Sequence, residues 1–344
     1  MSATAGADHI LATRGVAHEL GAYVVAAAFA RGGAAAAFAL GDGTLRLAPR
    51  AGGEWRSIAV HDGAILALAA DVRPACFISG GDDGKFRRTG EAAEDIATFG
   101  SKWIEHVATF ADAKAGLLAC AVGRQVHVFD GAGGRLKTLE HPSSVTGIAF
   151  DAKGKRIAAS HYNGASVWFV GSKTDNARKL EWKGSHTSVA ISPDGDVVVS
   201  AMQENALHGW RLSDGQHMRM TGYPAKTRSL SFSRTGKWLA TSGAESIILW
   251  PFFGGGPMGK APNELAGGDN TTCTMVACHP QHDAVAAGFS DGLVVLTDIN
   301  AERVLPVCGP GRGSISTLVW SADGAHLAFG TETGFAALVD FSRQ

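Results

Sequence analysis

The chain has 344 residues, of which 45% are hydrophobic and 18% are charged. Its 31 basic and 32 acidic residues give a formal net charge of -1, which argues against a nucleic-acid or anionic-membrane partner. No apolar run approaches the ~18 residues of a membrane span, and the N terminus has no signal-peptide core. Five cysteines, an odd number, favour reduced thiols and a cytoplasmic location.

The first predicted element is a short segment that precedes any repeat. Residues 1–9 are expected to be disordered, and residues 10–20 form one apolar-rich stretch. Residues 10–344 are assigned to a single domain, because a repeated pattern continues from there to the C terminus and overrides the two or three domains that length alone suggests.

From residue 16 to residue 341 the chain repeats a unit of about 40 residues. We mark each unit by the last apolar residue of its first predicted strand, and successive marks are 40 to 46 residues apart. The marks are Phe29, Ala69, Phe110, Phe150, Ile191, Phe232, Cys278 and Trp320. In the fifth unit, residues 189–192, 197–201 and 207–212 are strand-forming runs separated by turns such as Pro193-Asp194-Gly195. Three short strands cannot bury both faces alone, so each unit needs neighbours of its own kind.

This period and strand pattern resemble those of the WD-repeat β-propeller proteins, whose blades contain four antiparallel strands. The Trp-Asp dipeptide that names the family is absent, and the nearest counterparts are Phe129-Asp130 and Thr297-Asp298. The family's histidine position is held by His61 and His141, so its buried Asp-His-Ser-Trp network is mostly eroded.

The resemblance implies an all-β ring of four-stranded antiparallel blades. Eight units predict eight blades, and seven is the alternative if the Ala-rich unit at residues 23–49 forms no proper blade. The last unit has three strands, so we expect the N-terminal segment to supply its outer strand and close the ring. An insertion after Trp250 explains the longest spacing and is expected either to fold onto its own unit or to face a partner.

One rim of such a ring is formed by two sets of loops, which join fourth strands to first strands and second strands to third strands. The loops of the fourth to sixth units, and the loop before the third, carry large and charged residues where other units have small ones. Exposed aromatic residues with Arg are typical of binding hot spots. The predicted partner-binding residues are Trp103, His161, Tyr162, Trp182, Lys183, His186, Gln203, Glu204, Tyr223, Lys226 and Arg228. The alternative is that Trp182 and Tyr223 lie flat over the core.

Four residues near the predicted channel mouth have the N, O and S donors that zinc accepts. They are Glu105, His106, His186 and Cys273. They are spread over three units and include no short-range ligand pair, which weakens this interpretation. His279 is expected to replace a turn Ser or Asp, and His127 and His208 are expected to be packed on third strands.

No nucleophile elbow, dinucleotide fingerprint or pair of carboxylates is present, so we expect neither an enzyme nor a cofactor. The sequence predicts a non-catalytic scaffold that binds a protein or peptide on the rim of the third to sixth units. The alternative is a metal- or small-molecule-binding propeller, hydrolytic or related to zinc homeostasis, that uses the channel mouth. The family resemblance suggests a CobW-type GTPase as partner, and the Ala- and Gly-rich composition suggests a bacterial source.

Overall fold

The structure is a computed structural model that describes residues 8–268, 270–300 and 303–342. Within these ranges the chain forms thirty β-strands and one short helix, α1 (His9–Arg14). Neighbouring strands pair antiparallel, as the repeat pattern predicts. No helix in this described part has the length and apolar character that crossing a membrane requires.

The first three repeat units each form a four-stranded sheet, and one strand precedes them. The preceding strand is β1 (Gly15–Glu19). The first sheet contains β2 (Val24–Phe29), β3 (Ala35–Leu40), β4 (Thr44–Pro49) and β5 (Arg56–Ala59). The second contains β6 (Ile65–Ala70), β7 (Phe77–Gly81), β8 (Lys85–Thr89) and β9 (Ala93–Thr98). The third contains β10 (His106–Ala111), β11 (Gly116–Val122), β12 (Gln125–Asp130) and β13 (Arg135–Glu140).

The fourth and fifth units share one six-stranded sheet, and the last three units have a sheet each. The shared sheet contains β14 (Gly147–Phe150), β15 (Arg156–Phe169), β16 (Arg178–Ile191), β17 (Val197–Met202), β18 (Ala206–Arg211) and β19 (His217–Met220). The sixth unit contains β20 (Leu230–Phe232), β21 (Trp238–Thr241), β22 (Ser246–Pro251) and β23 (Asn263–Gly267). The seventh contains β24 (Cys273–Cys278), β25 (Ala284–Phe289), β26 (Val294–Asp298) and β27 (Val304–Cys308). The eighth contains β28 (Ile315–Trp320), β29 (His326–Thr331) and β30 (Phe335–Asp340).

The described residues therefore form seven sheets, and the prediction of eight separate blades is wrong. The Ala-rich first unit is not the cause, because it forms a regular four-stranded sheet. The difference arises at β15 and β16, which are 14 residues long. β15 is a hairpin, since the amide of Val170 donates to the carbonyl of Lys155, and its tip and second arm, residues 162–167, pair with β16. β16 continues from the outer strand of the fourth unit into the first strand of the fifth, so the two units share one sheet.

The N-terminal strand pairs with the last unit, as the sequence predicts. Residues 15–19 of β1 lie opposite residues 335–339 of β30, which covers the edge of that sheet. Closure of a complete ring stays a prediction. Of the segment expected to be disordered, residues 1–7 lie outside the described residues. Asp8 pairs with Arg312 at 2.7 Å, and His9 begins α1.

Residue contacts divide the chain into two lobes, and each has its own apolar core. The first lobe comprises residues up to 58 and from 227 onward, and the second comprises residues 59–226. In the first lobe, Phe38 and Phe329 are fully buried in clusters of β-branched and aromatic side chains. In the second, the rings of Phe86 and Phe129 lie 5.4 Å apart at a core cluster. A single domain over residues 10–344 stays a prediction.

In the fifth and the seventh units, the residue that opens the turn between first and second strands accepts backbone hydrogen bonds with its side chain. In the fifth unit the hydroxyl of Ser192 accepts from the amide of Val197 at 2.9 Å. Gly195, at a φ of 77°, donates to the Ser192 carbonyl at 2.8 Å. In the seventh unit Nδ1 of His279 accepts from the amides of the second and third residues after it, at 3.1 and 3.0 Å. This confirms that His279 takes the place of a turn Ser or Asp.

The insertion after Trp250 folds onto its own repeat unit. Its Phe252 ring lies 5.2 Å from Phe232, and its Phe253 ring lies 5.2 Å from Trp238. The first of the two arrangements expected from the sequence is therefore the one present.

Candidate partner-binding site

The tip of the β15 hairpin lies directly against β16. Asn163 and Gly164 have φ angles of 65° and 139°, which these two residue types tolerate best. A Cβ on Gly164 would lie 2.0 Å from the carbonyl oxygen of Leu180, so this close approach requires glycine. The side-chain oxygen of Asn163 accepts from the amide of Gly184 at 3.2 Å. The Asn-Gly pair therefore holds the hairpin tip on the neighbouring strand.

His186 ties together the two parts of β16. It is fully buried, its Nε2 donates to the carbonyl of Trp182 at 2.9 Å, and its Nδ1 accepts from the hydroxyl of Ser200 at 2.6 Å. Burial lowers the pKa of His186, so the neutral ring that this pattern requires is the stable form at pH 7. Both ring nitrogens therefore have partners inside the protein, which leaves neither open to a zinc ion, while a role of His186 in partner binding stays a prediction.

Trp182 is half-buried and is supported by two histidines of the fifth unit. Its ring stacks on that of His208, with centroids 3.9 Å apart and planes 15° apart. Nε2 of His208 lies 2.9 Å from Nδ1 of His217. Burial lowers the pKa of His208 to about 3, so Trp182 stacks on a neutral ring. His208 is packed, as the sequence predicts, and Trp182 lies against the core while it also lines the groove described next.

A groove of about 1100 Å³ opens between the hairpin tip and the first part of β16. Its walls include Tyr162, Trp182, Glu140 and three charged residues that alternate along β16. The three on β16 are Lys179, Glu181 and Lys183. Tyr162 is 55% exposed, although its backbone amide donates to the hydroxyl of Ser143 at 2.9 Å. The groove thus presents aromatic and charged side chains on a fixed backbone.

Apart from Arg228, the predicted partner-binding residues fall into three groups in the structure. The buried ones are His161, His186 and Tyr223. Those that border the groove, or a smaller hollow beyond Trp182, are Tyr162, Trp182, Lys183 and Glu204. Those that are exposed elsewhere in the second lobe are Trp103, Gln203 and Lys226. Arg228 belongs to the first lobe, where its guanidinium lies 3.7 Å from Glu332.

Two further residues of that set have covered side chains, and their contact with a partner also stays a prediction. His161 is 6% exposed, and its two nitrogens bond to the Tyr162 carbonyl and the Ser166 hydroxyl, both at 2.9 Å. Tyr223 is 8% exposed, as the alternative interpretation expects. Sequence reasoning also missed Lys179 and Glu181, although charged and apolar residues alternate there as in a half-buried strand.

The zinc candidates do not assemble into a site. Among the described residues, no three His, Cys, Asp or Glu side chains form a group that could hold a metal ion. Burial lowers the pKa of His106 to about 4 and raises the pKa of Cys273 to about 12, so Cys273 is a protonated thiol at neutral pH. Glu105 is exposed to solvent. These findings give the metal-binding alternative no support.

The second repeat unit contains a Ser-His-Asp arrangement that is structural. His61 bonds to Ser79 and Asp83, each at 2.8 Å. Ser79 is 2% exposed, so its hydroxyl cannot meet a substrate as a hydrolase nucleophile must. In the fourth unit the indole N–H of Trp168 donates to His141 at 3.0 Å. These contacts are remnants of the buried network that the resemblance places at His61 and His141.

No family model matches the chain. Telomerase protein component 1 of Rattus norvegicus is 25% identical over 224 residues, which span 63% of this chain and 8% of that protein. WD repeat-containing protein slp1 of Schizosaccharomyces pombe is 29% identical over 117 residues, which span 32% of this chain and 24% of slp1. In its repeated antiparallel sheets and in these matches, the chain is similar to the WD-repeat β-propeller proteins.

The chain also resembles a solved structure along nearly its whole length. The crystal structure of the computationally designed Ika8 protein matches it with a TM-score of 0.73 and 18% identity. The match covers 94% of this chain and 97% of the designed one. At that identity the likeness shows the fold alone. The matched regions span a minor part of both curated relatives, so their activities and partners belong to longer proteins.

Proposed function

We propose that this protein is a non-catalytic scaffold that binds a protein or peptide in the groove beside the β15 hairpin tip. The observation that carries the proposal is the exposed Tyr162 next to Trp182 on a sheet shared by two repeat units. The similarity to the WD repeat-containing protein slp1 supports an interaction role in general.

A rigid backbone favours binding at this place. The Gly184 amide, the Trp182 carbonyl and the Tyr162 amide are each bonded to a side chain, so the walls of the groove are held in position. Binding then costs little ordering of the protein, and the free energy from burying aromatic side chains is retained as affinity. Aromatic residues at the centre of an interface commonly contribute most of that free energy.

The proposal includes the other residues and the partner that the sequence analysis predicted. The exposed Trp103, Gln203 and Lys226 would contact a partner larger than the groove. The proposal also includes closure of the sheets into a ring and a CobW-type GTPase as the partner.

The test compares two exposed aromatic residues on the same strand. Tyr162 lies in the hairpin tip, whereas Phe169, which is 59% exposed, ends β15 at its other end. We expect Tyr162→Ala to lower the amount of partner captured from the native host by at least about tenfold, and Phe169→Ala to leave it within about twofold. Each variant should unfold within about 0.5 kcal/mol of the parent, because both side chains are exposed. Equal capture by the parent and Tyr162→Ala would show that the groove is not the site.

A further inference from the structure

A cationic cleft adjoins the groove on the same segment of β16. It has a volume of about 370 Å³ and shares Lys179 and Glu181 with the groove. Two guanidinium groups, those of Arg178 and Arg211, and the imidazole of His217 also line it. Its lining therefore holds three permanent positive charges and one carboxylate, in a chain whose formal net charge is -1.

Of the lining residues that the structure describes, Glu181 is the one carboxylate in the cleft, and the carboxylates of Asp214 and Asp196 accept local hydrogen bonds. Asp214 accepts from Arg211 at 3.1 Å and from the amide of Gln216 at 2.9 Å. Asp196 accepts from the amide and the hydroxyl of Ser213, both at 2.8 Å. Among the described residues no hydrogen bond or ion pair engages the ammonium group of Lys179 or Lys183. The linings of cleft and groove together hold four cations, Arg178, Lys179, Lys183 and Arg211, and two carboxylates, Glu140 and Glu181, which leaves a local excess of positive charge.

One of the cations is oriented by the fold. Nη1 of Arg178 donates to the carbonyl of Leu212, which anchors the guanidinium across the cleft and leaves its other N–H groups for a ligand. A guanidinium fixed in this way can receive a carboxylate with two parallel hydrogen bonds, a geometry that an ammonium group lacks. The indole of Trp210 forms part of the same wall.

We propose that the segment that docks here is an acidic peptide. Its Asp or Glu side chains would pair with Arg178 in the cleft and with Lys179 along the groove, since successive side chains of a strand point to opposite faces, while an apolar side chain contacts Tyr162 and Trp182. This inference rests on the proposed function and adds the chemistry of the partner. Complementary charge of this kind chiefly raises the rate of association and selects among partners.

The test uses two synthetic peptides of equal length, each with one central Phe, flanked in one by Glu and in the other by Lys. Binding to the full chain is measured by fluorescence anisotropy. We expect the Glu peptide to bind more tightly and to lose affinity between about 50 mM and about 200 mM NaCl, since salt screens exposed charges. Lys179→Glu should weaken it by about tenfold.

Lys153→Glu is the matched control, because Lys153 is exposed in the same lobe, lies outside groove and cleft, and changes the net charge equally. Equal binding of the two peptides, no binding of either, or equal effects of the two substitutions would overturn the inference. If Tyr162→Ala abolishes partner capture and Lys179→Glu does not, the inference of an acidic partner is overturned and the proposed groove is kept. Capture that is unchanged in both variants would overturn the proposed function as well.

Discussion

The second and the fifth repeat units use a buried histidine in different ways. In both, the ring bonds to a serine on the second strand of its unit, Ser79 for His61 and Ser200 for His186. The other nitrogen of His61 bonds to Asp83 within its own unit, whereas that of His186 donates to Trp182, in the stretch that leads from the fourth unit. A buried histidine thus stabilises a single sheet in the second unit, whereas in the fifth unit it joins two units. The joined pair is where the candidate binding groove lies.

The largest effect should come from removing the histidine that joins two units. His186→Ala would leave the Ser200 hydroxyl and the Trp182 carbonyl without their partner and open a cavity, so we expect a loss of about 3 kcal/mol in the free energy of unfolding. Urea denaturation measures the loss, and the fluorescence of Trp182 should change in the native state. His61→Ala should also destabilise the protein but leave Trp182 unaffected. Identical fluorescence changes in both variants would remove the distinction between the two units.

As the pH falls, the third to fifth repeat units should lose stability at a higher pH than the second unit does. Burial lowers the pKa of His127 and His141 to about 4 and that of His208 to about 3; burial also lowers the pKa of His61, but there the hydrogen bond to Asp83 opposes the shift. An unfolded histidine titrates near a pKa of about 6.5, so the unfolded state binds more protons below that pH. The contribution of these neutral histidines to the free energy of unfolding is therefore fully present above pH ~6.5. It decreases by at least about 2 kcal/mol as the pH falls toward ~4.

Amide hydrogen exchange at about pH 4.5 would localise this loss. We expect β12 and β18 to exchange faster than β7 and β8. Uniform exchange over all four strands would contradict the expectation.

The smallest effect should appear at the hairpin tip. Asn163→Ala removes the bond to the Gly184 amide and places alanine at a φ of 65°, so we expect a loss of about 1 kcal/mol. Asn163→Gly keeps the backbone conformation and loses the bond alone, which makes it the matched variant. Thermal unfolding of both separates the two contributions. If alanine and glycine cost the same, the backbone conformation contributes nothing.

Local chemistry made much of the fold predictable. Strand runs, turn residues such as Gly195 and the replacement of a turn Ser by His279 depend on neighbours a few positions away. The pairing of β1 with β30 was also predictable, because a three-stranded unit at the end of a repeat leaves an edge to cover. The candidate site was predicted less well, since His161, His186 and Tyr223 lie in turn-rich segments and are nevertheless buried.

The sequence by itself determined a WD-like repeat of antiparallel strands and the loops in which large side chains collect. Only the tertiary structure decided that the fourth and fifth units share one sheet, which of those side chains reach solvent, and that Lys179 borders both groove and cleft. The physical reason is distance along the chain. Period and turn chemistry act between near neighbours, whereas the approach of Gly164 to Leu180 and the bond from His186 to Trp182 depend on how separate segments pack.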